Sequence, residues 1–383
     1  MIPYGRQSIS QTDIDAVIDV LKSDFLTQGP AIPKFESAMA ERVGARHAIA
    51  VNSATSALHI ACLALGVGPG DLVWSTPNTF VASTNCALYC GASVDFVDID
   101  PVSWNISTVA LTDKLRQASA AGNLPKVLVV VHFSGQPCDM EQIHSLAKHY
   151  GFKIIEDASH AVGATYGDTT IGDCCYSDIT VFSFHPVKII TSGEGGMALC
   201  NDDELAWRMS MFRSHGITRD PARMQALQPD AWHYEQQLLG YNYRMIDIEA
   251  ALGLSQMSRL DEFVSRRNDL ARRYDDLLAG LDLQRPHIAQ DRTSAFHLYV
   301  VRTRKSAEHH RSVFEHLRQL GIGANLHYTP VHLQPYYRQL GFEPGMFPQA
   351  ERYAETAITL PLYPDLTEQQ QDDVVHALEV SLG

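Results

Sequence analysis

The chain has 383 residues, 45% hydrophobic and 19% charged, the proportions of a globular protein and not of a disordered, collagen-like or coiled-coil one. At roughly 150 residues per domain, that length predicts about two or three folding units with a large buried core. Thirty Lys and Arg against 44 Asp and Glu leave a net charge of −14, so no whole-molecule field attracts nucleic acid or an anionic membrane, and an anionic ligand needs a local site.

No apolar run reaches the roughly 18 residues of a membrane-spanning helix, and Met1 to Arg6 lacks the apolar core of a signal peptide. The expectation is a cytoplasmic protein. Seven cysteines (Cys62, Cys86, Cys90, Cys138, Cys174, Cys175, Cys200) include no C-x-x-C pair, so they read as small buried hydrophobes and predict neither a disulfide framework nor a metal site.

In chain order, Ser10 with Asp13 forms a capping box ahead of Ile14, Val17, Ile18 and Leu21, which share one helical face. That helix stops before the turn Thr27-Gln28-Gly29-Pro30. From about residue 47 to 200, short apolar runs alternate with helical patterns. Strands are expected at His47 to Val51, Leu72 to Ser75, Ser93 to Val97, Lys126 to Phe133, Phe152 to Ile155 and Ile179 to Phe184. Such alternation predicts an α/β fold with a mainly parallel central sheet flanked by helices, and ligands outside the carboxyl ends of its strands. A long helical stretch from Ile246 to Leu278 bridges to a smaller α+β domain, whose last helix opens on the capping box of Thr367 and Gln370. The predicted boundary is near residue 255, giving a large domain 1–255 and a small C-terminal domain 256–383.

Three strand ends carry residues suited to chemistry. Lys153 to Asp157 reads as a strand delivering Asp157, with His160 just beyond. Phe182-Ser183-Phe184-His185-Pro186-Val187-Lys188 runs from a strand into a proline-fixed turn that presents a lysine, followed by Gly193-Glu194-Gly195-Gly196, whose glycines permit close backbone approach. Asn52-Ser53-Ala54-Thr55-Ser56 opens a helix with small hydroxyls and free N–H groups, the makings of a phosphate site. Phe80 offers a ring for stacking. Taken singly, each has an ordinary explanation: a turn-capping Asp, a surface Lys, an N-cap by Ser53, a core Phe. Together, a phosphate cup, an acid and a lysine are what pyridoxal 5′-phosphate (PLP) requires.

These residues are also familiar as a set. Asn52 to Leu58, Glu156 to Ala161, Ser183 to Lys188, Glu194 to Gly196 and Gly240-Tyr241-Asn242-Tyr243-Arg244-Met245 together resemble the DegT/DnrJ/EryC1/StrS family of sugar aminotransferases, over nearly the whole chain. The resemblance implies the fold type I PLP-dependent aminotransferase architecture and a homodimer with its active sites at the interface. It also implies amino transfer from L-glutamate to a nucleotide-linked keto sugar. By the same resemblance Lys188 is the catalytic, Schiff-base lysine, Asp157 the partner of the pyridinium nitrogen and Phe80 the stacking residue. Ala54, Thr55 and Ser183 would hold the phosphate, and Asn242 would reach the phosphate of the neighbouring subunit's cofactor. His160 matches a position beside the ring oxygen, though a hydrogen bond to a loop carbonyl accounts for it nearly as well.

Within the family, Phe212-Arg213-Ser214-His215-Gly216 and Asn325-Leu326-His327-Tyr328-Thr329-Pro330-Val331-His332 look most like members that aminate C4 of a UDP-4-keto-6-deoxy-N-acetylhexosamine in pseudaminic acid biosynthesis. That likeness places Tyr4, Asp24, Phe25, Leu26, Thr27, Ser56, Asn242, Asn325, Leu326, His327 and Tyr328 at the sugar-nucleotide site. The alternatives are another nucleotide-linked keto sugar (a UDP-4-keto-pentose, a GDP-perosamine precursor or a dTDP-3-keto sugar) or the dehydration catalysed by relatives with His in place of the lysine. Arg6, Lys22, Arg213 and His327 are the candidate cations for the two phosphates of such a substrate.

Overall fold

The computed structural model describes residues 1–226 and 230–383. Seven strands form the central sheet: β1 His47–Val51, β2 Leu72–Ser75, β3 Ser93–Phe96, β4 Val127–Val131, β5 Lys153–Asp157, β6 Ile179–Ser183 and β7 Gly196–Cys200, in the order β1-β7-β6-β5-β4-β2-β3. The pairs from β6 to β3 are parallel, whereas β7 runs antiparallel to both of its neighbours. The sequence reading missed β7 because Gly195 and Gly196 look like a loop. Strand pairing begins at Gly196 itself.

Every residue of β4, β6 and β7 is buried, as continuous apolar strands with both faces covered must be. Along β5 the side chains alternate: Ile154 joins the core containing Phe35, Trp74 and Phe182, while Ile155 joins the core containing Leu58, Ile60 and Phe96. Helices α1 Gln11–Leu21, α2 Ala31–Val43, α3 Ala54–Ala64, α4 Ala82–Tyr89, α5 Thr108–Ala121, α6 Met140–Tyr150 and α7 Asp203–Arg213 surround the sheet or lie beside it.

The capping boxes at Ser10 and Thr367 are both formed. The apolar face expected of α1 is not in the core of this chain: Ile14 and Leu21 are 44% and 55% exposed. The buried residue of α1 is Asp13, which accepts hydrogen bonds from Ser255 (2.6 Å) and Gln256 (2.7 Å). Spacing predicted the helix, but a polar contact chose the side that faces inward.

The single bridging helix expected over 246–278 is two, α8 Asp247–Met257 and α9 Leu260–Leu277. Ser258 Oγ donates to the Ser255 carbonyl at 2.7 Å, drawing off a late acceptor of α8 at the break. Beyond α9, a small antiparallel sheet of β8 Leu283–Gln284, β9 Tyr299–Thr303 and β10 Ala357–Leu360 is covered by α10 Ala307–Gln319 and α11 Glu368–Leu382. Tyr274, Tyr299, Val313 and Leu378 share its core. The start of the chain returns to this unit, because Ile2–Pro3 pairs in parallel with Ile322–Gly323.

Candidate active site

At the end of β1 the chain turns into α3. Ser53, in extended conformation, caps the helix by accepting from the Ser56 N–H at 3.2 Å. The first-turn N–H groups of Ala54 and Thr55 have no hydrogen-bond acceptor among the described residues, as the geometry of a helix start dictates. Gly196 of β7 runs directly beneath: a Cβ there would lie 2.4 Å from the Ala54 nitrogen. The three glycines flagged in the sequence for close approach thus include one that the cup needs.

Asp157 ends β5. Its carboxylate accepts from Ser83 Oγ (2.6 Å) on α4 and from Ser159 Oγ (2.5 Å) and N–H (3.2 Å), and Ser83 is braced by Thr79 at 2.7 Å. Three donors fix the direction of the acid.

Lys188 follows β6 through the turn at Pro186, its own N–H donating to the His185 carbonyl at 2.9 Å. Burial pushes its amine down to about 8, against the opposing pull of Asp157. Its Nζ lies 3.4 Å from Nε2 of His297.

His297, Phe296 and their loop precede β9 and are held by Arg267 of α9. This wholly buried guanidinium donates to the carbonyls of Phe296 (3.1 Å), His297 (3.3 Å) and Leu362 (3.0 Å). The ring of His160 lies 4.4 Å from that of His297. His160 Nδ1 accepts the Ser134 N–H at 3.2 Å, so the neutral ring carries its proton on Nε2, 3.1 Å from the Tyr328 hydroxyl. Among the described residues, no loop carbonyl receives it. Burial first, then the Lys188 charge, holds His160 and His297 well below the usual histidine range, and the same causes bring His327 to about 3.

The cleft between these elements has a volume of about 660 Å³. Tyr4, Ala54, Thr55, Ser56, Phe80, Asp157, His160, Ser183, Lys188, His327 and Tyr328 all line it. Phe80 stands at the mouth, 58% exposed, its ring 6.2 Å from that of Tyr328. Ser56 is already engaged, donating to Asn52 Oδ1 at 2.7 Å.

Other predicted residues lie elsewhere on their own chain. Asp24, Phe25, Leu26 and Thr27 form an exposed turn, tied by the Leu26 carbonyl to the Asp247 N–H at 3.0 Å. Asn242 is exposed and bridges the Ser214 backbone. Asn325 bridges Thr359 beside β10, and Leu326 packs on the sheet core. Of the candidate cations, Arg213 is committed to Glu36 (2.5 Å) and the Ala50 carbonyl (2.9 Å), and His327 is held neutral. Arg6 and Lys22 are exposed outside the cleft, leaving Lys188 as the one Lys or Arg among its described lining residues.

Sequence reasoning missed His297, Ser83, Ser159 and Arg267. Ser159 sat inside the segment Glu156 to Ala161, and a hydrogen-bonding side chain two residues after an acid was a readable signal. His297 and Arg267 carried none, because only tertiary packing brings them to Lys188.

The DegT/DnrJ/EryC1/StrS aminotransferase family model matches residues 7–379. The spore coat polysaccharide biosynthesis protein SpsC of Bacillus subtilis (strain 168) is 38% identical over 382 residues, 98% of this chain and 96% of SpsC. Helicobacter pylori PseC, an aminotransferase of pseudaminic acid biosynthesis, superposes with a TM-score of 0.90 at 30% identity, covering 100% of this chain and 99% of PseC. Spr1654 of Streptococcus pneumoniae in its PMP form gives a TM-score of 0.91 at 29% identity, covering 100% of this chain and 99% of that one; its PLP form gives 0.90 at 28%, covering 100% and 98%. The chain belongs to the DegT/DnrJ/EryC1/StrS aminotransferase family and is a PLP-dependent sugar aminotransferase.

Proposed function

We propose that this enzyme moves the amino group of L-glutamate to C4 of a UDP-4-keto-6-deoxy-N-acetylhexosamine, giving UDP-4-amino-4,6-dideoxy-N-acetyl-β-L-altrosamine. The observation that carries the reading is the meeting at one cleft of the Ala54 and Thr55 N–H groups, the Asp157 carboxylate and the Lys188 amine. The likeness to PseC over the whole chain supports the choice of sugar.

The residues present fit the cofactor. Bound PLP supplies an aldehyde that exchanges for the amino group and a ring that accepts electrons. Ala54 and Thr55 hold its phosphate with N–H groups at a helix start, where the dipole favours an anion, and the Ser183 hydroxyl adds a donor. Asp157, aimed by Ser83 and Ser159, keeps a proton on the ring nitrogen. Phe80 would cover a ring face, and His160 would serve the ring oxygen. Lys188, its amine brought within reach of neutrality by burial, anchors the aldehyde carbon and, once displaced by glutamate, carries the transferred proton on Nζ.

The large domain, residues 1–255, supplies the cofactor residues. The small one, 256–383, closes the cleft with His297, His327 and Tyr328. Tyr4, Ser56, Asn325, Leu326, His327 and Tyr328 serve the sugar nucleotide. The exposed Asp24 to Thr27 turn and Asn242 complete the site across a homodimer interface, a role that the uncovered apolar residues Ile14, Leu21, Phe25 and Leu26 support. The enzyme works in the cytoplasm. Among the described residues, no helix is long and apolar enough to cross a membrane.

SpsC, named for spore coat polysaccharide synthesis, favours as second reading a different nucleotide-linked keto sugar. Incubating the enzyme with L-glutamate and a panel of UDP-, GDP- and dTDP-keto sugars, with products identified by mass and NMR, separates the two. Fastest turnover of the UDP-4-keto-6-deoxy-N-acetylhexosamine is expected. Preference for a GDP or dTDP sugar overturns the first reading.

A further inference from the structure

His297 is the one side-chain hydrogen-bond partner of the Lys188 amine among the described residues, at 3.4 Å between Nε2 and Nζ, and nothing in the sequence marked it. Its surroundings are built. Phe296 adopts φ 46°, a conformation that a bulky residue keeps only where the neighbourhood over-determines it. Gly135 passes so close that a Cβ would lie 2.8 Å from the Phe296 nitrogen and 3.1 Å from that of His297. Arg267 grips the carbonyls on both residues. The loop that carries the ring is therefore held by the close backbone of Gly135 and by a buried cation.

The charged and titratable groups facing it are Lys188, Arg267, His160 and His327, with Asp157 acting on Lys188 from beyond. Burial first, then the positive charge of Lys188 and more weakly that of Arg267, keep the imidazole neutral. A neutral ring whose Nε2 faces an amine donor presents a lone pair there and carries its proton on Nδ1, which has no protein partner among the described residues.

We propose that His297 is a positioning residue for the reaction: its Nε2 lone pair accepts a hydrogen bond from the Lys188 amine and thereby aims the nitrogen that anchors the cofactor and moves the proton. This rests on the assignment of Lys188 under the proposed function. An acceptor at this distance also favours the ammonium over the free amine, so removing it makes Lys188 easier to deprotonate.

The test uses the cofactor-free protein. Capture of pyridoxal phosphate, trapped with borohydride and located by peptide mass, is followed from about pH 6 to 10, and kcat and KM for glutamate are measured on the loaded enzyme. Wild type should label Lys188 with a midpoint near about pH 8. In His297→Leu the midpoint should fall by roughly half a unit or more and kcat by about tenfold or more, with KM little changed. His297→Gln, which keeps an acceptor near the Nε2 position, should restore both, and its thermal melt shows that the loop still folds. Unchanged midpoints in both variants overturn the inference, whatever kcat does, since a merely structural role would lower kcat without moving the titration. Labelling of a different lysine in wild type overturns the Lys188 assignment itself, and this inference with it.

Discussion

Glu156 and Asp157 are consecutive residues of β5 whose carboxylates emerge on opposite faces of the sheet and have unrelated duties. Asp157 enters the cleft and is held by Ser83 and Ser159. Glu156 enters the opposite core, where His132 Nε2 (2.6 Å) and Thr180 (3.1 Å) donate to it. His132 Nδ1 accepts the Cys138 N–H at 3.1 Å, which puts the ring proton on the nitrogen facing Glu156. One residue of register separates the acid that enters the cleft from the acid that serves the fold.

Asp157→Asn should therefore lower kcat by roughly 100-fold or more while leaving the melting temperature within a few degrees, because it neutralises the charge while the amide oxygen can still accept from Ser159 and the amide NH2 can donate to the Ser83 hydroxyl. The double variant Ser83→Ala with Ser159→Ala keeps the charge but not its aim, and a smaller loss of about tenfold is expected. Steady-state rates with L-glutamate check both. A near-wild-type Asp157→Asn enzyme would remove Asp157 from the chemistry.

Lys188 is a functional group kept at the expense of stability. Its amine falls from 10.5 to about 8 on folding, so between those values the unfolded chain binds more protons and stability rises with pH through that window. Below about pH 8 the full cost is present, and because the side chain keeps partial contact with solvent we set it at about 1–3 kcal/mol. Cofactor-free Lys188→Met should lose turnover yet melt higher than wild type at pH 7, with the gap closing above about pH 10. Calorimetry at the two pH values decides it. A lower melting temperature at pH 7 would contradict the burial argument.

Gly196→Ala tests the cup. The added methyl would meet the Ala54 nitrogen at 2.4 Å and the Ser53 carbonyl carbon at 2.5 Å, both backbone atoms that no rotamer change can move. The start of α3 must shift, and cofactor affinity should weaken by about tenfold or more, read by absorbance titration. Gly193→Ala, by comparison, meets no atom within 4 Å, and its strain comes from φ 88° alone.

Arg267→Met keeps most of the volume and removes the donors from three carbonyl oxygens. Leaving such groups unpaired in the interior should cost about 3–5 kcal/mol, measured by urea unfolding. Because the same bonds hold His297, kcat should fall with it. An unaffected variant would show that β9 and the hydrogen bonds to Ser134 and Gly135 hold the loop without Arg267.

Much of the fold was legible because its signals are local. A capping box needs four residues, and those at Ser10 and Thr367 formed as read. A buried parallel strand is a short apolar run, and six such runs became β1 to β6, with β3 and β6 ending one residue and β4 two residues earlier than expected and β5 two residues later. β7 was not seen because its first residue is a glycine after a glycine, and its antiparallel direction depends on neighbours far away in the chain. The break between α8 and α9 was hidden by an apolar period that runs through it.

The site divides along the same line. By itself the sequence determined the parts whose meaning lies in one strand end and its turn: the N–H groups of Ala54 and Thr55, Asp157 and Lys188. Their chemistry follows from residue type and their placement from the rule that parallel strands deliver residues to one edge. Only the tertiary structure decided what surrounds them. It brought His297 to Lys188 and Arg267 to the His297 loop from about 80 to 110 residues further along the chain, committed Arg213 to Glu36, and left Asn242 facing outward. The physical reason is that desolvation and hydrogen-bond direction depend on which distant groups share a cavity. No local pattern encodes that until the chain has closed around it.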